Sequence, residues 1–438
     1  MSELYRFPLK QSVGIKAVPC VIKGDDVHRG QPLAFQGNGL GCGICSSVTG
    51  QIHEVTEDEI TVEASPEQDR DYVRLKSTEP LDLIREAGIV GLGGAGFPTW
   101  AKLAKPFDGS GTVIVNAAEC EPILDHNLTR IRKNPEQLLR GLDIAMELVH
   151  AEHGIIAIKG IHKETIALLK EKLKNPRVKI SLLENVYPAG EERAIVRDTM
   201  GVLLPPTALP SEAGAVVINA ESCCRIEEAV DQKKPMIDKD LTVAGKIRGN
   251  EQDKLIQVFL DVPVGTPVRS LFERAGGKEN HGLADTYGEL IMGGPFTGHR
   301  TDLDAPVLKT TGGLIAAECF PKGPEKIGLL VCACGADEAR LREIAKSMGS
   351  EVVGVAFCKQ AEPVKNTRKC QNPGHCPGQV EKIMKLKKAG AQAVLISNCT
   401  DCTNTVMACA PKLGLPVYHC TDGALRAVNM KLIRRFKG

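Results

Sequence analysis

The sequence predicts a multidomain α/β protein with an N-terminal β barrel-sandwich, a central α/β domain, a small α+β module and a cysteine-rich parallel α/β domain at the C-terminus. Three observations lead to this prediction. A length of 438 residues exceeds what a single hydrophobic core usually supports. Strand patterns alternate with helical patterns over 80–240 and again over 325–438. Ten of the 16 cysteines lie between Cys319 and Cys420, which concentrates the thiols in one part of the chain.

Composition and charge exclude several functional classes. Aromatic residues make up 4% of the chain and the formal net charge is +1, so no nucleic-acid surface is expected. The most apolar stretches, such as Ile327–Cys334, are far shorter than the ~20 residues of a membrane-spanning helix. Met1–Lys10 lacks the apolar core of a signal peptide, and we therefore expect a cytoplasmic protein. In that reducing compartment, many cysteines indicate metal binding or redox chemistry rather than disulfides.

Residues 1–75 are predicted to form the barrel-sandwich domain, because glycine-rich turns leave no room for a long helix. Cys42 and Cys45 form a CxxC pair in one of these turns. The pair is either a point where electrons enter or leave, or an incidental pair of thiols. The expected strands are Ala17–Ile22, Pro32–Phe35, Gln51–Val55 and Ile60–Val62.

Residues 76–245 alternate between helix and strand. This alternation predicts a mostly parallel sheet, in which ligands bind at the carboxyl ends of the strands. The expected helices are Leu81–Ala87, Pro135–His150, His162–Lys174 and Glu191–Thr199. The expected strands are Thr112–Asn116, Gly154–Lys159, Val178–Glu184 and Ala215–Asn219.

A glycine-rich segment in this domain is a candidate ligand loop. It reads Gly91-Leu92-Gly93-Gly94-Ala95-Gly96-Phe97-Pro98-Thr99. Four glycines in six residues allow backbone N–H groups to approach a phosphate or a flavin ring closely. It is not a Walker loop, because no Gly-Lys-Ser/Thr follows, and it fits the dinucleotide fingerprint poorly, because a helix precedes it. The alternative interpretation is a tight structural turn.

Three polar turns accompany this loop, and each falls between a strand and a helix. They are Asn116–Pro122, Tyr187–Arg193 and Asn219–Ser222. Any one of them is explained by a helix-start turn. All of them in one domain, together with the glycine-rich segment, indicate a ligand at the carboxyl edge of the sheet.

The motifs GLGGAGFPT, NAAECEP, YPAGEER and NAES, in this order, resemble the flavin-binding subunit of respiratory complex I (the 51 kDa, NuoF-like subunit) and its relative RnfC, a component of the Rnf electron-transport complex. Val27–Pro32 and Ser47–Gly50 are similar to the barrel of RnfC. Residues 246–320, with Met292–Gly298 and Pro306–Gly313, look like its soluble-ligand-binding β-grasp (SLBB) module. The resemblance covers roughly 12–320.

The resemblance implies an FMN site with NADH as the electron donor. The glycines would line the flavin, a lysine would lie near its phosphate, and the Asn and Ser side chains would contact the ribityl chain or the phosphate. The carboxylates would face FMN or NADH, and Gly190-Glu191-Glu192 follows the complex I pattern. The implied residues are Gly91, Gly93, Gly94, Gly96, Lys102, Lys105, Asn116, Glu119, Glu121, Gly190, Glu191, Glu192, Asn219 and Ser222.

Residues 321–438 depart from RnfC, which continues into CxxCxxCxxxCP runs that hold two iron–sulfur clusters. At the corresponding point this chain has only Cys319. It continues instead with four buried strand patterns, each followed by a helix, although about twenty residues of loop precede the second helix. The strands are expected at Lys326–Ala333, Glu351–Phe357, Ala393–Ser397 and Pro416–His419.

Cysteines stand at the ends of all four strands, which should share one edge of the sheet. Cys402 should lie in the first turn of a helix, where the helix dipole favours a thiolate. Two functions stay open for these thiols: ligation of one iron–sulfur cluster, or a redox-active dithiol, and a structural zinc has similar spacing. The residues predicted to carry the redox chemistry, or to bind the metal, are Cys332, Cys334, Cys399 and Cys402.

The RnfC-like front joined to a cysteine-rich tail resembles the PrdC group, the electron-transfer proteins associated with D-proline reductase. The resemblance implies an NADH-dependent flavin oxidoreductase that passes electrons to a partner reductase or electron-transfer protein. Two alternatives remain. One is a flavin-free scaffold protein that docks redox partners, and the other is a thiol–disulfide reductase that acts directly on a small substrate.

Overall fold

The computed structural model describes residues 3–249, 255–365 and 367–434. The predicted domain ranges also include 1–2, 250–254, 366 and 435–438, which lie outside the described residues. Over the described ranges, no helix combines the length and the apolar character that crossing a membrane requires.

The N-terminal barrel consists of short antiparallel strands around a small core. Its sheets have the strand orders β1-β7-β6-β3 and β2-β4-β5. Phe7, Leu33 and Ile60 are fully buried between them. The strand expected at 17–22 shortens to two residues, because Pro19 has no amide hydrogen to continue the ladder. The strands are β1 (Leu4–Pro8), β2 (Val18–Pro19), β3 (Asp26–Val27), β4 (Pro32–Phe35), β5 (Ile44–Cys45), β6 (Gly50–Val55) and β7 (Glu59–Ala64).

The central domain is a parallel sheet with helices on both faces. Its strands β8 (Thr112–Ala117), β9 (His153–Lys159), β10 (Val178–Leu183) and β11 (Ala215–Asn219) pair in parallel in the order β10-β9-β8-β11. The inner strands β8 and β9 are buried almost throughout, as is usual for a sheet that is covered twice. The helices are α1 (Pro80–Glu86), α2 (Thr99–Leu103), α3 (His126–Lys133), α4 (Pro135–Leu148), α5 (Lys163–Lys172), α6 (Glu192–Met200) and α7 (Ala220–Asp231).

Local sequence signals explain where several of these helices begin and end. Pro135 stands at the first position of α4, and the Asn134 side chain accepts a hydrogen bond from the Gln137 amide. Gly201, with φ at 77°, ends α6 in the left-handed region. Sequence patterns do not predict helix α3, because its residues are mostly polar and its few buried apolar side chains do not form a recognisable period.

The third unit is a mixed sheet in the order β13-β12-β16-β14-β15, in which only β12 and β16 pair in parallel. Its first strand precedes residue 246, the boundary expected from the sequence. This strand contains Asp238, Lys239 and Asp240, all buried, and their charges conceal a strand that is buried along its whole length. The elements are β12 (Asp238–Gly245), β13 (Ile256–Pro263), α8 (Val268–Gly276), β14 (Tyr287–Met292), β15 (His299–Thr301) and β16 (Gly313–Glu318).

The C-terminal unit is a parallel sheet in the order β18-β17-β21-β22, so the carboxyl ends of its strands share one edge. The long loop after β18 contains a hairpin that the sequence pattern does not predict. The elements are β17 (Lys326–Val331), α9 (Glu338–Ser347), β18 (Glu351–Phe357), β19 (Ala361–Val364), β20 (Thr367–Cys370), α10 (Val380–Lys388), β21 (Ala393–Ile396), α11 (Thr400–Cys409), β22 (Val417–His419) and α12 (Asp422–Ala427).

Candidate functional site

The glycine-rich segment forms a closed loop between α1 and α2. The Gly96 amide donates to the Gly91 carbonyl at 3.0 Å, and the Gly91 amide donates to the Phe97 carbonyl at 2.9 Å. Gly94 has φ at 104°, a conformation that side chains disfavour. Gly93 and Gly94 are exposed. The loop therefore presents bare backbone at its tip, as close contact with a ligand requires.

The loop is held against the N-terminus of α7. The buried Ser222 hydroxyl accepts from the Leu92 amide at 3.0 Å and donates to the Val90 carbonyl at 2.9 Å. Asn219 caps α7 by accepting from the Ser222 amide at 3.2 Å. A Cβ on Gly93 would lie 3.0 Å from Asn219 Nδ2. The narrow space between a bare loop and a helix N-terminus suits a phosphorylated ligand, and these residues fit FMN.

Asn116 connects a third motif to the same edge of the sheet. It lies directly opposite Asn219 in the parallel pairing of β8 and β11. Its side-chain amide donates to the Gly190 carbonyl at 2.9 Å and accepts from the Ala118 amide at 3.1 Å. The structure thus brings together the predicted motifs around Asn116, Gly190 and Asn219, with the glycine loop beside Asn219.

The lysines and the paired glutamates of this region differ in their surroundings. Glu191 caps α6, and its carboxylate accepts from the amides of Arg193 and Ala194. Glu192 forms an ion pair of 2.5 Å with Lys102, whose ammonium also donates to the Val217 carbonyl. Lys105 is exposed beyond the end of α2. Lys102 is therefore fixed near the carboxyl end of β11, whereas Lys105 faces solvent.

Glu119 and Glu121 both accept hydrogen bonds from protein amides. Glu119 accepts from the Asn127 amide at 2.9 Å at the start of α3. Glu121 accepts from the amides of Phe296 and Thr297 at 2.8 and 2.9 Å, and also from the Thr297 hydroxyl. Burial raises the pKa of Glu121 above its ordinary value. Glu121 thus ties the central domain to the turn between β14 and β15.

In the C-terminal unit, thiols from five separate segments converge at the carboxyl edge of the sheet. The sulfurs of Cys332, Cys358 and Cys402 all lie within 4.8 Å of one another. Thiol–thiol hydrogen bonds join further cysteines to these three. We call the set the thiol cluster: Cys332, Cys334, Cys358, Cys370, Cys376, Cys399 and Cys402.

The cluster contains the four cysteines predicted to act and three others. In the sequence, Cys358 and Cys376 are recognisable only as a strand end and a loop residue. Cys420, which ends the fourth strand, lies instead beside His419, with its sulfur 3.7 Å from Nδ1. Cys409 donates to the Val406 carbonyl of its own helix. Convergence at a sheet edge therefore depends on which way each side chain points, which strand position alone does not specify.

The thiols differ in acidity according to which of them donates. Hydrogen bonds from neighbouring thiols, Cys334 first, hold the pKa of Cys332 well below its usual range, and Cys332 leads the contacts that lower the pKa of Cys399. Cys402 donates to its neighbours, and its pKa is raised. The prediction that the helix dipole favours a thiolate at Cys402 is therefore wrong, because contacts with nearby sulfurs outweigh the dipole. A hydrogen bond from Cys402 lowers the pKa of Cys376 to about 6.

Tyr187 links the flavin motifs to the thiol cluster. Its amide donates to the Thr400 hydroxyl at 3.0 Å, and its carbonyl accepts from the Thr400 amide at 3.1 Å. Its hydroxyl donates to the Cys334 carbonyl. Its ring stacks on Phe296 with 3.6 Å between centroids. Sequence reasoning missed this role, because nothing in the local sequence indicates a partner 213 residues away.

The Cys42–Cys45 pair lies inside the contact between the barrel and its neighbours. Both side chains are buried, and the Cys42 sulfur is 3.8 Å from the ammonium of the buried Lys309. That ammonium donates to the carbonyls of Gly43 and Gly88. Burial raises the pKa of Cys45 to about 12. A protonated, buried thiol favours the incidental interpretation over a port for electrons.

Comparison with known families agrees with this geometry. Residues 84–228 match the family model of the Nuo51 FMN-binding domain, which contains the glycine loop and the polar turns. Residues 1–69 match the RnfC barrel sandwich hybrid domain. Together the two models cover the barrel and most of the central domain.

Several curated relatives are components of redox enzymes. The RnfC-type component of the Na(+)-translocating ferredoxin:NAD(+) oxidoreductase complex of Acetobacterium woodii is 31% identical over 354 residues, covering 74% of this chain and 75% of that protein. Its counterpart in the proton-translocating complex of Clostridium ljungdahlii is 29% identical, covering 70% of this chain and 69% of that protein. Cobalamin reductase PduS of Citrobacter freundii is 39% identical over 233 residues, but the match covers only 53% of this chain and 48% of PduS.

Proposed function

Because this chain belongs to the RnfC family of electron-transfer proteins, we propose that it is an FMN protein that takes electrons from NADH and passes them to its thiol cluster. One observation carries this proposal. Tyr187, at the start of a flavin motif, is hydrogen bonded to Thr400, which lies between Cys399 and Cys402. The domain that would hold the flavin is therefore in direct contact with the segment that carries the thiols.

In this proposal the chain itself supplies binding and positioning. The glycine loop would receive the cofactor against the N-terminus of α7, where the dipole and free amides favour a phosphate. Lys102 would add positive charge. Ser222 would hold the loop in place, since its hydroxyl is already bonded to the backbone on both sides. Bound FMN would supply the chemistry, which is to accept a hydride and to release electrons singly.

The contacts of α6 support a docked arrangement of the two domains. Arg197 on α6 donates to the Asn372 side chain and to the Pro373 carbonyl, both at 2.6 Å. These residues belong to the loop that carries Cys376. The helix that begins with the Gly190-Glu191-Glu192 motif thus holds the thiol-bearing loop directly.

The electron acceptor is the finer part of the proposal. The resemblance to the PrdC group supports a partner reductase of the D-proline reductase type, reached through the thiols or through a metal that they bind. A direct thiol–disulfide reductase is disfavoured by burial. Cys399 and Cys402 are only 2% and 4% exposed, which leaves little surface for a substrate to reach them.

The test is anaerobic purification of the full chain, followed by FMN analysis and titration with NADH. About one FMN per chain, bleached by NADH, is expected. Gly93→Val should weaken FMN binding by about tenfold or more, equivalent to about 1.4 kcal/mol, because the new side chain meets Asn219. Ala104→Val, which adds bulk at an exposed position outside the loop, is the control. A chain that takes up no FMN after reconstitution would refute the proposal and leave the scaffold function.

A further inference from the structure

The thiol cluster contains more sulfurs than one metal ion or one disulfide uses, so its geometry must select among them. Cys332, Cys358 and Cys402 form the tightest group, with all sulfurs within 4.8 Å and the Cys358–Cys402 pair at 4.0 Å. They come from the ends of β17 and β18 and from the first turn of α11. A tetrahedral metal–thiolate site has bonds of about 2.3 Å, which places its sulfurs about 3.8 Å apart. These three sulfurs are close to that arrangement already.

Cys376 is the fourth sulfur that this geometry favours. Its sulfur accepts hydrogen bonds from the Gly378 amide at 3.4 Å and from Gln379 Nε2 at 3.3 Å, and it lies 3.2 Å from the Thr405 hydroxyl. Several donors directed at one sulfur stabilise its deprotonated form, which is the form that binds metals. The Cys376 amide is held in turn by the Asp401 carboxylate at 2.7 Å.

Gln379 connects Cys376 to the other sulfurs. Its side-chain amide nitrogen lies 3.1 Å from the Cys358 sulfur, 3.3 Å from Cys376 and 3.7 Å from Cys402. The residue is fully buried, and its Oε1 has no hydrogen-bond partner among the residues that the structure describes. An amide that gives up one of its own bonds in order to direct its N–H groups at three sulfurs marks a site built around thiolates.

We infer that Cys332, Cys358, Cys376 and Cys402 bind one tetrahedral, thiophilic metal ion, ferrous iron or zinc, with Gln379 as a positioning residue. This deepens the proposed function and rests on it for any redox role of the site. Binding converts four thiols to thiolates and releases four protons to solvent, so no oxidant is needed. A polynuclear cluster places iron and sulfide between the thiolates and would need them further apart, so the spacing favours a single ion.

This ligand set differs from the one expected from sequence, which included Cys334 and Cys399. Those two thiols lie toward the flavin domain, since the Cys334 carbonyl accepts from Tyr187 and Thr400 next to Cys399 is bonded to the same residue. In the inferred arrangement they are left free of the metal, between it and the flavin domain.

The experiment uses the full chain, purified anaerobically and stripped with a chelator, and then titrated with Co²⁺ as a spectroscopic probe. Tetrahedral thiolate charge-transfer bands should saturate at one Co²⁺ per chain. Cys376→Ser and Cys358→Ser should each weaken binding by at least about tenfold. Cys409→Ser, on the same helix as Cys402 but outside the cluster, should bind as the wild type does. Gln379→Leu should keep the stoichiometry but shift the charge-transfer bands, which a purely structural role would not do.

Metal and flavin are measured separately on every variant, so loss of FMN tests the proposed function and loss of Co²⁺ tests this inference. Elemental analysis of the chain as purified distinguishes iron from zinc. Acid-labile sulfide in amounts matching several irons per chain would overturn the single-ion site. Loss of Co²⁺ in Cys399→Ser together with full binding in Cys376→Ser would overturn the ligand set. Circular dichroism excludes variants that fail to fold, and Cys376, which is partly exposed, is the replacement least disruptive to the core.

Discussion

Replacing Thr400 with valine should separate the flavin domain from the thiol cluster without changing the shape of either. In the wild type, the Thr400 hydroxyl accepts from the Tyr187 amide at 3.0 Å, and both residues are buried. Valine keeps the volume of threonine but has no acceptor. The Tyr187 amide would then be buried without a partner, while the bond from the Thr400 amide to the Tyr187 carbonyl would remain.

The magnitude follows from the cost of leaving one buried amide unpaired, which is about 1–3 kcal/mol. If that cost falls on local opening of this contact, the opening equilibrium shifts by about 5- to 150-fold. Hydrogen exchange of the peptide 184–190, followed by mass spectrometry, should therefore accelerate by about that factor. In FMN-loaded protein, reduction of the C-terminal thiols after addition of NADH should slow in parallel.

Thr403→Val is the matched control. Thr403 is also buried on α11, but its hydroxyl donates to the Asn398 carbonyl within the C-terminal unit. It should cost a comparable amount of stability locally and leave exchange around Tyr187 unchanged. If Thr400→Val exchanged at the wild-type rate, or if both variants accelerated equally, the contact would not join the two sites and our reasoning would be refuted.

Three other predictions follow from buried groups. Lys239→Met should cost about 3–5 kcal/mol by urea denaturation, because it leaves the Glu221 carboxylate buried without its ammonium, and adding Glu221→Gln should recover part of that loss; a cost below about 1 kcal/mol would contradict it. Burial opposes ionisation of Asp240, but neighbouring arginines outweigh it and hold its pKa below the ordinary 3.8. Its stabilisation is therefore full above that pH and is lost as the pH falls below it, and Asp240→Asn should flatten the acid limb of the stability profile. At neutral pH, iodoacetamide should label the exposed Cys319 but not Cys45, whose pKa burial raises to about 12; mass spectrometry that found Cys45 labelled in the folded chain would exclude this burial.

Much of the fold was predictable because its signals are local. The strand expected at Thr112–Asn116 extends by one residue to Ala117, and the helix expected at Leu81–Ala87 is observed at Pro80–Glu86. Buried β-branched runs between polar turns identify strands wherever they lie in a chain. The flavin motifs were equally accessible, since glycines and polar turns at strand ends can be read from a single segment.

Elements whose signals depend on distant partners were not predictable. Strand β12 appears polar in the sequence, because the partners that neutralise Asp240 lie on other segments, such as Arg130 and Arg225. The hairpin β19–β20 occupies a stretch that the sequence pattern describes as a loop. A charged residue indicates exposure only until the structure supplies its counter-charge.

The sequence by itself determined that this chain carries a flavin-type domain and a concentration of cysteines on a second parallel sheet, because both are written in residue types and their spacing. The tertiary structure alone decided which thiols meet, which of them donate hydrogen bonds, and which residue joins them to the flavin motifs. Cys420 ends a strand as Cys332 does, yet it packs away from the cluster, whereas Cys376 joins it from a loop. The physical reason is that these contacts are made by side-chain direction and by packing between segments far apart in the chain, which no local pattern encodes.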